Sequence, residues 1–361
     1  MFDYLIVGCG LSGATCSRML AEKGKRILVI DQRNHIAGNV YDEYNDANVL
    51  VHTYGPHIFH THFKDVWDFL SRFTQWRAYQ HRVKAFVNGM LVPMPINLDT
   101  INLLYGTSFT EQNIEDRFYS LLRSQNAEVK NSADMVISKV GRELYSLFFQ
   151  NYTKKQWGID AEDLDKEVTA RIPIRYNRDN RYFTDSYQGM PKLGYTQMVR
   201  AMLNHPGIQV MLNAKYQNIA KEVQYTKLIY TGPIDEFFDY RYGKLPYRSI
   251  TFDFETINQE YYQSAAVINY PNDYDYTRIT EFKYMTGQKC ANSTIVKEYP
   301  TNDGEPYYPI PRAENKELYK KYAAEAHQLT NVFFLGRLGL YKYANMDIVV
   351  KDAMNLVQHI S

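Results

Sequence analysis

The first 31 residues contain the pattern that most constrains how this chain can fold. An apolar run at residues 4–7 predicts a buried strand, and it leads directly into Gly8-Cys9-Gly10-Leu11-Ser12-Gly13. An apolar helix face follows, and a second apolar run at residues 27–30 ends at Asp31. Strand, glycines, helix, strand and terminal acid within one such unit are typical of a dinucleotide-binding fold. An ordinary βαβ unit with chance glycines is the alternative.

The glycines and the acid have separate predicted roles. Gly8 makes the tight turn, Gly10 lets a pyrophosphate approach the backbone, and Gly13 lets the helix pack on the strand. The helix N-terminus offers N–H groups and a positive dipole to the phosphates. Asp31 would accept hydrogen bonds from a ribose diol and repel a 2′-phosphate, which favours FAD or NAD over NADP.

The residues after Asp31 distinguish these two cofactors. A simple NAD domain would usually turn straight into another helix, whereas here Gln32-Arg33-Asn34-His35-Ile36-Ala37-Gly38-Asn39 follows. An acid followed shortly by a small-residue pair is the extension found in glutathione-reductase-like FAD proteins, where a second backbone turn reaches the flavin side of the pyrophosphate. The sequence therefore predicts FAD, with Gly38 and Asn39 among its contacts.

Composition excludes several classes of protein. The chain has 361 residues, of which 45% are hydrophobic and 22% charged. Its length predicts two or three globular domains. Its composition excludes a disordered chain, a collagen and a disulfide scaffold. A net charge of +1 argues against a whole-chain function in binding nucleic acid or a membrane surface. The 32 tyrosines are unusually many and fit wet interfaces or a cleft for a polar, ring-bearing ligand.

Three further observations predict a reduced, cytoplasmic protein. The three cysteines form no CxxC pair. The N-terminus lacks the basic region and cleavage site of a signal peptide. Apolar stretches stay well short of the roughly 18 residues of a membrane span.

The rest of the chain predicts an α/β fold: an FAD-binding Rossmann-like domain with a helical insert domain and an antiparallel β-sheet domain. Apolar residues recur at helical spacing in 63–75 and 132–150, and alternation predicts strands at 247–252, 265–270 and 294–299. The end of the chain predicts a strand (332–335), a Gly336-Arg337 turn and a helix from about Met346, a return to the flavin common in FAD folds. The predicted domain boundaries are 1–75, 191–236 and 308–361 for the FAD domain, 98–165 for the helical domain, and 76–97, 166–190 and 237–307 for the sheet domain.

Two clusters of polar residues allow two interpretations each. The polar segment 158–185 contains Arg171, Arg175, Arg178 and Arg181, either as a solvated loop or as a mobile flap that brings cations to a diphosphate. His52, His57, His60 and His62 could suggest a metal, but no nearby Cys or carboxylate completes a familiar spacing, so we predict none.

A series of motifs from residue 3 to about 357 resembles the bacterial type of the UDP-galactopyranose mutase family. They are Gly55-Pro56-His57-Ile58-Phe59-His60-Thr61, Tyr152-Thr153-Lys154-Lys155-Gln156-Trp157-Gly158, Arg171-Ile172-Pro173-Ile174-Arg175, Tyr187-Gln188-Gly189-Met190-Pro191, Gly194-Tyr195-Thr196, Tyr230-Thr231-Gly232-Pro233-Ile234-Asp235, Tyr276-Thr277-Arg278-Ile279, Tyr307-Tyr308-Pro309-Ile310-Pro311 and Gly336-Arg337-Leu338-Gly339-Leu340-Tyr341-Lys342-Tyr343. In this order and spacing they are highly specific.

The resemblance implies a flavin-dependent isomerase that interconverts UDP-galactopyranose and UDP-galactofuranose with no net redox change. In that reaction N5 of reduced FAD attacks the sugar C1, UDP leaves, and a flavin-iminium with the opened sugar precedes ring contraction. It also implies a reductant such as NAD(P)H and a homodimer, for making the galactofuranose of cell-surface polysaccharides.

The resemblance also implies roles for individual residues. Arg171 and Arg278 would supply cations to the diphosphate, and His60 would stabilise the reactive flavin state; these are the expected catalytic residues. The expected substrate-binding residues are Phe149, Tyr152, Trp157, Arg171, Tyr182, Arg278, Tyr308, Tyr343 and Asn345. The expected cofactor-binding residues are Gly8, Gly10, Gly13, Asp31, Gly38, Asn39, His57, Arg337 and Met346.

The chain departs from the family pattern in two places. Ala37-Gly38 stands where the family often has two glycines, and Asn345 stands where many members carry Asp, which keeps the hydrogen-bonding shape without the charge. UDP-N-acetylgalactosamine stays open as a substrate. Two other functions remain as alternatives: a flavin oxidoreductase of the amine-oxidase type, and a nucleotide-sugar-binding protein with a structural FAD.

Overall fold

The chain forms two compact units, each assembled from separate stretches of sequence. The computed structural model describes residues 1–122, 128–170 and 173–360. The first unit comprises Met1–Tyr79, Asp185–Pro246 and Asn315–Ser361, and the second comprises Gln80–Thr184 and Tyr247–Glu314.

The secondary structure is mixed α/β, as predicted. In chain order the strands are β1 (Phe2–Val7), β2 (Ile27–Ile30), β3 (Asp42–Tyr44), β4 (Leu50–His52), β5 (Phe59–Thr61), β6 (Trp76–Ala78), β7 (Val83–Val87), β8 (Met90–Met94), β9 (Tyr187–Pro191), β10 (Ile208–Met211), β11 (Tyr225–Tyr230), β12 (Tyr247–Ile257), β13 (Val267–Asn269), β14 (Arg278–Glu281), β15 (Ser293–Thr301), β16 (Tyr308–Pro309) and β17 (Val332–Phe334). The helices are α1 (Leu11–Glu22), α2 (Lys64–Ser71), α3 (Leu98–Tyr105), α4 (Ser120–Leu122), α5 (Ser132–Tyr145), α6 (Asn151–Trp157), α7 (Glu167–Ala170), α8 (Tyr195–Leu203), α9 (Tyr216–Ile219), α10 (Ile234–Phe237), α11 (Phe282–Thr286), α12 (Ala313–Ala326), α13 (Gly336–Gly339) and α14 (Met346–Ile360). Single 3₁₀ turns lie at Gly38–Val40 and Ala161–Asp163, and π-helical turns at Glu115–Tyr119 and Ser146–Gln150.

The first unit is built on a parallel sheet with the strand order β10-β2-β1-β11-β17. β1 is central because its residues are apolar on both faces, and it pairs in parallel with β2 on one side and β11 on the other. Helix α1 packs against α14 and α8. The predicted strand–glycine–helix–strand unit and the C-terminal strand, turn and helix are confirmed, and this unit is the predicted Rossmann-like fold.

The second unit contains a sheet with the order β16-β12-β15-β14-β13-β7-β8. The predicted antiparallel sheet is confirmed with one difference: β13 and β7 run parallel, with Val267 opposite Val83. Its longest strand pair is β12 with β15, in register from Ser249 opposite Thr301 to Ile257 opposite Ser293.

Helices of the second unit share their core with this sheet. Val136, Val140 and Leu144 of α5 belong to the same apolar cluster as Val83 and Val87 of β7. The predicted helix over 132–150 is interrupted at Gly141 (φ 80°), where a Cβ would lie 2.8 Å from the Leu122 Cβ. The assignment of residues 98–165 to a domain separate from the sheet stays a prediction.

None of the helices in the described part of the chain combines the length and apolar character that a membrane span needs.

Candidate functional site

A cavity in the first unit lies at the carboxyl ends of its parallel strands. It is lined by the loop between β1 and α1, by Asp31 at the end of β2, by the turn at Ala37–Val40, by the segment after β11 and by the start of α14. The carboxyl edge of a parallel sheet is where open α/β folds bind their ligands.

The three motif glycines are required for different physical reasons. Gly8 has φ +101°, and a Cβ there would lie 1.9 Å from the Thr231 Oγ1. A Cβ on Gly13 would lie 2.0 Å from the Gly8 carbonyl oxygen. Gly10 is different, because its Cβ would meet nothing closer than the Gly38 Cα at 3.8 Å. Gly8 and Gly13 therefore serve the fold itself, whereas Gly10 lines the cavity with open space that a ligand can fill.

Asp31 is held in place by backbone groups. Its side chain is buried, and it accepts hydrogen bonds from the Cys9 N–H (2.8 Å) and the Arg33 N–H (3.0 Å). A carboxylate offers about four lone-pair positions, so capacity remains for a ribose hydroxyl.

The small-residue pair forms a second turn directly against the glycine loop. Ala37 and Gly38 both have left-handed backbones (φ 75° and 54°), and the Ala37 N–H donates to the Cys9 carbonyl at 3.0 Å. A Cβ on Gly38 would lie 2.9 Å from the Gly10 Cα. The open cradle at Gly10, the helix N-terminus beside it and this second turn together fit a dinucleotide with two phosphates.

The four histidines form two pairs in the first unit. The buried His52 accepts a hydrogen bond on Nδ1 from the His57 N–H (3.0 Å), and the His57 Nδ1 lies 2.9 Å from the Gly55 carbonyl oxygen. The His60 Nδ1 and the His62 Nε2 lie 3.1 and 3.5 Å from the two carboxylate oxygens of Asp185. Only His57 of the four lines the cavity.

Burial keeps two of these imidazoles neutral. It lowers the pKa of His52 to about 4. Burial also lowers the pKa of His60 below its ordinary value, although Asp185 and Asp347 act in the opposite direction. His60 is therefore placed as a neutral ring held by a carboxylate.

The C-terminal site residues lie in the short helix α13 and in the segment after it. The Arg337 Nη2 donates to the Ala344 carbonyl at 2.8 Å, and its guanidinium lies 5.6 Å from the centre of the Tyr343 ring. Arg337 and Met346 line the cavity, whereas Tyr343 and Asn345 are exposed.

The predicted diphosphate residues of the second unit gather around Arg278. Its Nε donates to the Glu298 Oε1 at 2.7 Å, and the Glu298 side chain is only 1% exposed. Burial disfavours the charged guanidinium, but Glu298 together with Tyr152 and Tyr308 outweighs this effect, so the pKa of Arg278 is raised. Burial raises the pKa of Tyr152, and the charge of Arg278 and the phenols of Tyr182 and Tyr308 lie close enough to act on it.

Trp157 and Phe149 occupy apolar positions in the second unit. The Trp157 ring lies edge-on to Tyr308, with 6.4 Å between the ring centres. Phe149 is 4% exposed and packs in the core of the unit.

The arginines of segment 158–185 are largely engaged locally. Arg178 pairs with Asp99, Arg181 pairs with Asp179 (2.8 Å), and Arg175 donates to the Asp179 carbonyl (2.9 Å). This pattern favours the solvated-loop interpretation for Arg178 and Arg181, whereas the Arg175 side chain is only 10% exposed and is held inside the segment. Arg171 lies outside the described residues.

Glu298 is a candidate site residue that sequence reasoning missed. It stands in the strand predicted at 294–299, but its importance depends on the register that sets it opposite Arg278 in the β14–β15 pair. The available signal was a charged residue, Glu298, at a buried position of an apolar strand, since a buried charge needs a partner of opposite charge.

Comparisons with known proteins agree along the whole chain. Residues 147–343 match the family described as UDP-galactopyranose mutase, and residues 6–73 match the NAD(P)-binding Rossmann-like domain. A probable UDP-galactopyranose mutase of Klebsiella pneumoniae is 39% identical, over 98% of this chain and 93% of that protein. A dTDP-fucopyranose mutase of Escherichia coli is 37% identical, over 99% of this chain and 98% of that protein.

Solved structures show the same fold. A reduced UDP-galactopyranose mutase matches with a TM-score of 0.79 at 17% identity, covering 100% of this chain and 95% of that one. A putative protoporphyrinogen oxidase from Exiguobacterium matches with a TM-score of 0.68 at 12% identity, covering 99% of this chain and 98% of that one.

We predict that Gly10→Ala folds normally but loses flavin. The backbone at Gly10 (φ −78°) accepts alanine, and the added methyl has room in the protein itself. Crowding by one methyl costs about 1–3 kcal/mol, so flavin affinity should fall about tenfold or more. Flavin absorbance per folded protein measures this. Gly13→Ala is the contrast, since it should destabilise the fold, and full flavin content in Gly10→Ala would contradict the assignment.

We predict that His52 makes the protein less stable in acid. Its pKa is about 4 when folded and about 6.5 when unfolded, so between these values the unfolded state binds more protons. Stability is therefore lost as the pH falls from about 6.5 to about 4, by about 1 kcal/mol per pH unit. Urea unfolding across this range should show a shallower pH slope for His52→Gln. The control His327→Gln, at an exposed position of the chain, should keep the wild-type slope; equal slopes in all three proteins would refute the prediction.

Proposed function

This chain belongs to the UDP-galactopyranose mutase family, and we propose that it interconverts UDP-galactopyranose and UDP-galactofuranose using FAD in its reduced state. The observation that carries the proposal is the group around Arg278: a guanidinium anchored by a buried carboxylate, with Tyr152 and Tyr308 close by. A site for a departing diphosphate needs such fixed cations and hydroxyls.

The reaction explains why such a site is needed. The anomeric bond to UDP must break, the sugar must open, and O4 must replace O5 at C1, all without net redox change. Reduced flavin supplies, when bound, a nucleophile for C1 that can also return its electrons. Gly8–Gly13, Asp31, Gly38, Asn39, His57, Arg337 and Met346 would hold it.

The protein binds the leaving group. Arg278 faces developing diphosphate charge without reorganising, because Glu298 already fixes its Nε. The phenol of Tyr152 is protonated at neutral pH and can donate to a phosphate oxygen, and burial raises its pKa further. Arg171 is proposed as the second cation, and Tyr182, Tyr308 and Tyr343 as further phosphate donors.

The remaining residues have proposed roles at the two ends of the substrate. Trp157 offers an aromatic face to the uracil ring, with Phe149 and Tyr152 beside it in sequence. A neutral His60, held by Asp185, would stabilise the reactive flavin state without acting as a charged acid. Asn345 contributes hydrogen bonds without charge.

A second nucleotide sugar is favoured by one comparison. The dTDP-fucopyranose mutase is nearly as similar to this chain as the Klebsiella relative, at 37% against 39% identity. dTDP-fucopyranose is therefore a substrate to compare with UDP-galactopyranose. UDP-N-acetylgalactosamine, which the motifs leave open, is a further one. Cytoplasmic location, a homodimer and a reductant such as NAD(P)H complete the proposal.

The test measures the conversion of UDP-galactofuranose by the flavin-loaded protein before and after reduction with dithionite. We expect UDP-galactofuranose to become the pyranose only after reduction, with products resolved by chromatography. NAD(P)H consumption in proportion to product would instead indicate an oxidoreductase. Tight UDP binding without turnover by the reduced protein would indicate a binding protein.

We predict that Arg278→Ala lowers kcat about 100-fold or more while the flavin stays bound, because it removes a preorganised charge from the leaving group. Arg171→Ala should behave alike. The matched control is Arg178→Ala, which removes an exposed arginine already paired with Asp99. If either test variant turns over near the wild-type rate, its proposed role is wrong.

A further inference from the structure

Helix α6 carries Tyr152 and Trp157 and directly continues the π-helical turn at Ser146–Gln150. Other segments fix the position of its C-terminal end. The Arg248 Nη2 and Nε donate to the carbonyls of Lys155 and Gln156 in its last turn, both at 3.0 Å. Gly158 ends the helix in a left-handed conformation, and a Cβ there would lie 2.9 Å from the Arg248 Nη1.

Lys155 connects this helix to a loop. Its Nζ lies 2.5, 2.7 and 3.2 Å from the carbonyl oxygens of Tyr270, Tyr274 and Tyr276. An ammonium has three donors, and here all three have carbonyl acceptors. Burial lowers the pKa of Lys155, whereas Asp273 and Asp275 of the same loop favour its charged form.

The loop leads directly to Arg278. It spans residues 270–277, between β13 and β14, and the Tyr270 N–H closes it by donating to the Thr277 carbonyl (2.8 Å). The Thr277 N–H donates to the Glu298 carbonyl (2.9 Å), and the next residue is Arg278, paired with the Glu298 side chain. The C-terminal end of this loop therefore sets the backbone position of Arg278, while Glu298 orients its guanidinium.

A second link joins the same two segments. The Asn272 Nδ2 donates to the Leu147 carbonyl (2.9 Å), and its Oδ1 accepts from the Asn151 Nδ2 (3.0 Å). Asn151 is the first residue of α6, so the loop is connected to both ends of the short helix.

We propose that Lys155 is a positioning residue for diphosphate binding: its ammonium joins the helix that carries Tyr152 to the loop that leads into Arg278. The inference rests on the proposed function, since it assumes that both residues bind UDP. Lys155 acts through them and does not itself contact substrate.

The neighbouring lysine provides a matched control. Lys154 stands on the same helix, but its side chain is 60% exposed and pairs with Asp160 at 3.0 Å. Lys155→Met and Lys154→Met thus make the same chemical change one residue apart, in the holoenzyme.

We expect Lys155→Met to bind UDP about tenfold more weakly, because buried charged hydrogen bonds are lost. Its kcat should fall, its flavin content should stay normal, and Lys154→Met should match wild type. UDP affinity is measured by titration of the folded, flavin-loaded protein, so a loss of stability alone would not change it. UDP affinity and kcat within twofold of wild type for Lys155→Met would overturn the proposal.

A double-mutant cycle tests whether Lys155 acts through Arg278. If it does, Lys155→Met should weaken UDP binding far less in an Arg278→Ala background than in wild type. If the two substitutions weaken UDP binding additively, Lys155 does not act through Arg278. If Lys155→Met does not fold, Lys155→Arg and Asn272→Ala decide: weaker UDP binding by either supports the proposal, and wild-type affinity in both refutes it.

The wild-type protein separates this proposal from the proposed function. If reduced wild type neither converts UDP-galactofuranose nor binds UDP, the proposed function fails first. If it does both and Lys155→Met is unaffected, only the positioning role fails.

Discussion

The close contact between Gly8 and Gly13 is the constraint on which the first unit depends. The backbone of helix α1 reaches the Gly8 carbonyl so closely that a side-chain carbon at Gly13 has no space. This contact aims the N-terminus of α1 across the carboxyl edge of the parallel sheet. Cys9 lies in the glycine loop between Gly8 and Gly13. Its N–H donates to the Asp31 carboxylate, and its carbonyl accepts a hydrogen bond from the Ala37 N–H. One tight backbone approach therefore sets the cavity wall, the direction of the helix dipole and the position of the Asp31 carboxylate together.

The second unit depends on a different constraint, the antiparallel register of β14 and β15. This register sets Arg278 opposite Glu298 and lets a buried carboxylate compensate a buried guanidinium. Breaking such a pair is costly, because it leaves one charge buried without its partner. The pair therefore keeps the cation oriented whether or not an anion is present.

The sequence predicted those parts of the site that depend on neighbours in the chain. The glycine loop, the strands on either side of it and Asp31 lie within 31 residues, so local periodicity revealed them. The β1–β11 pairing and the role of Glu298 depend on residues that are distant in sequence, for which one chain offers no register. The parallel β13–β7 pair was missed for the same reason. Arg278 was predicted only through its motif, since an arginine in a strand has no distinctive pattern of its own.

The contacts of Lys155 also bear on how sequences of this kind can diverge. Its ammonium binds main-chain oxygens of Tyr270, Tyr274 and Tyr276, and every amino acid supplies such an oxygen. The exposed Tyr274 side chain can therefore be exchanged while its carbonyl contact persists, provided that the loop keeps its length and path. Tyr270 and Tyr276 have less freedom, because their half-buried rings contact Phe86 and Tyr299. Evolution, or a protein engineer, can thus change the loop at Tyr274 without touching the groups that hold Lys155 in place.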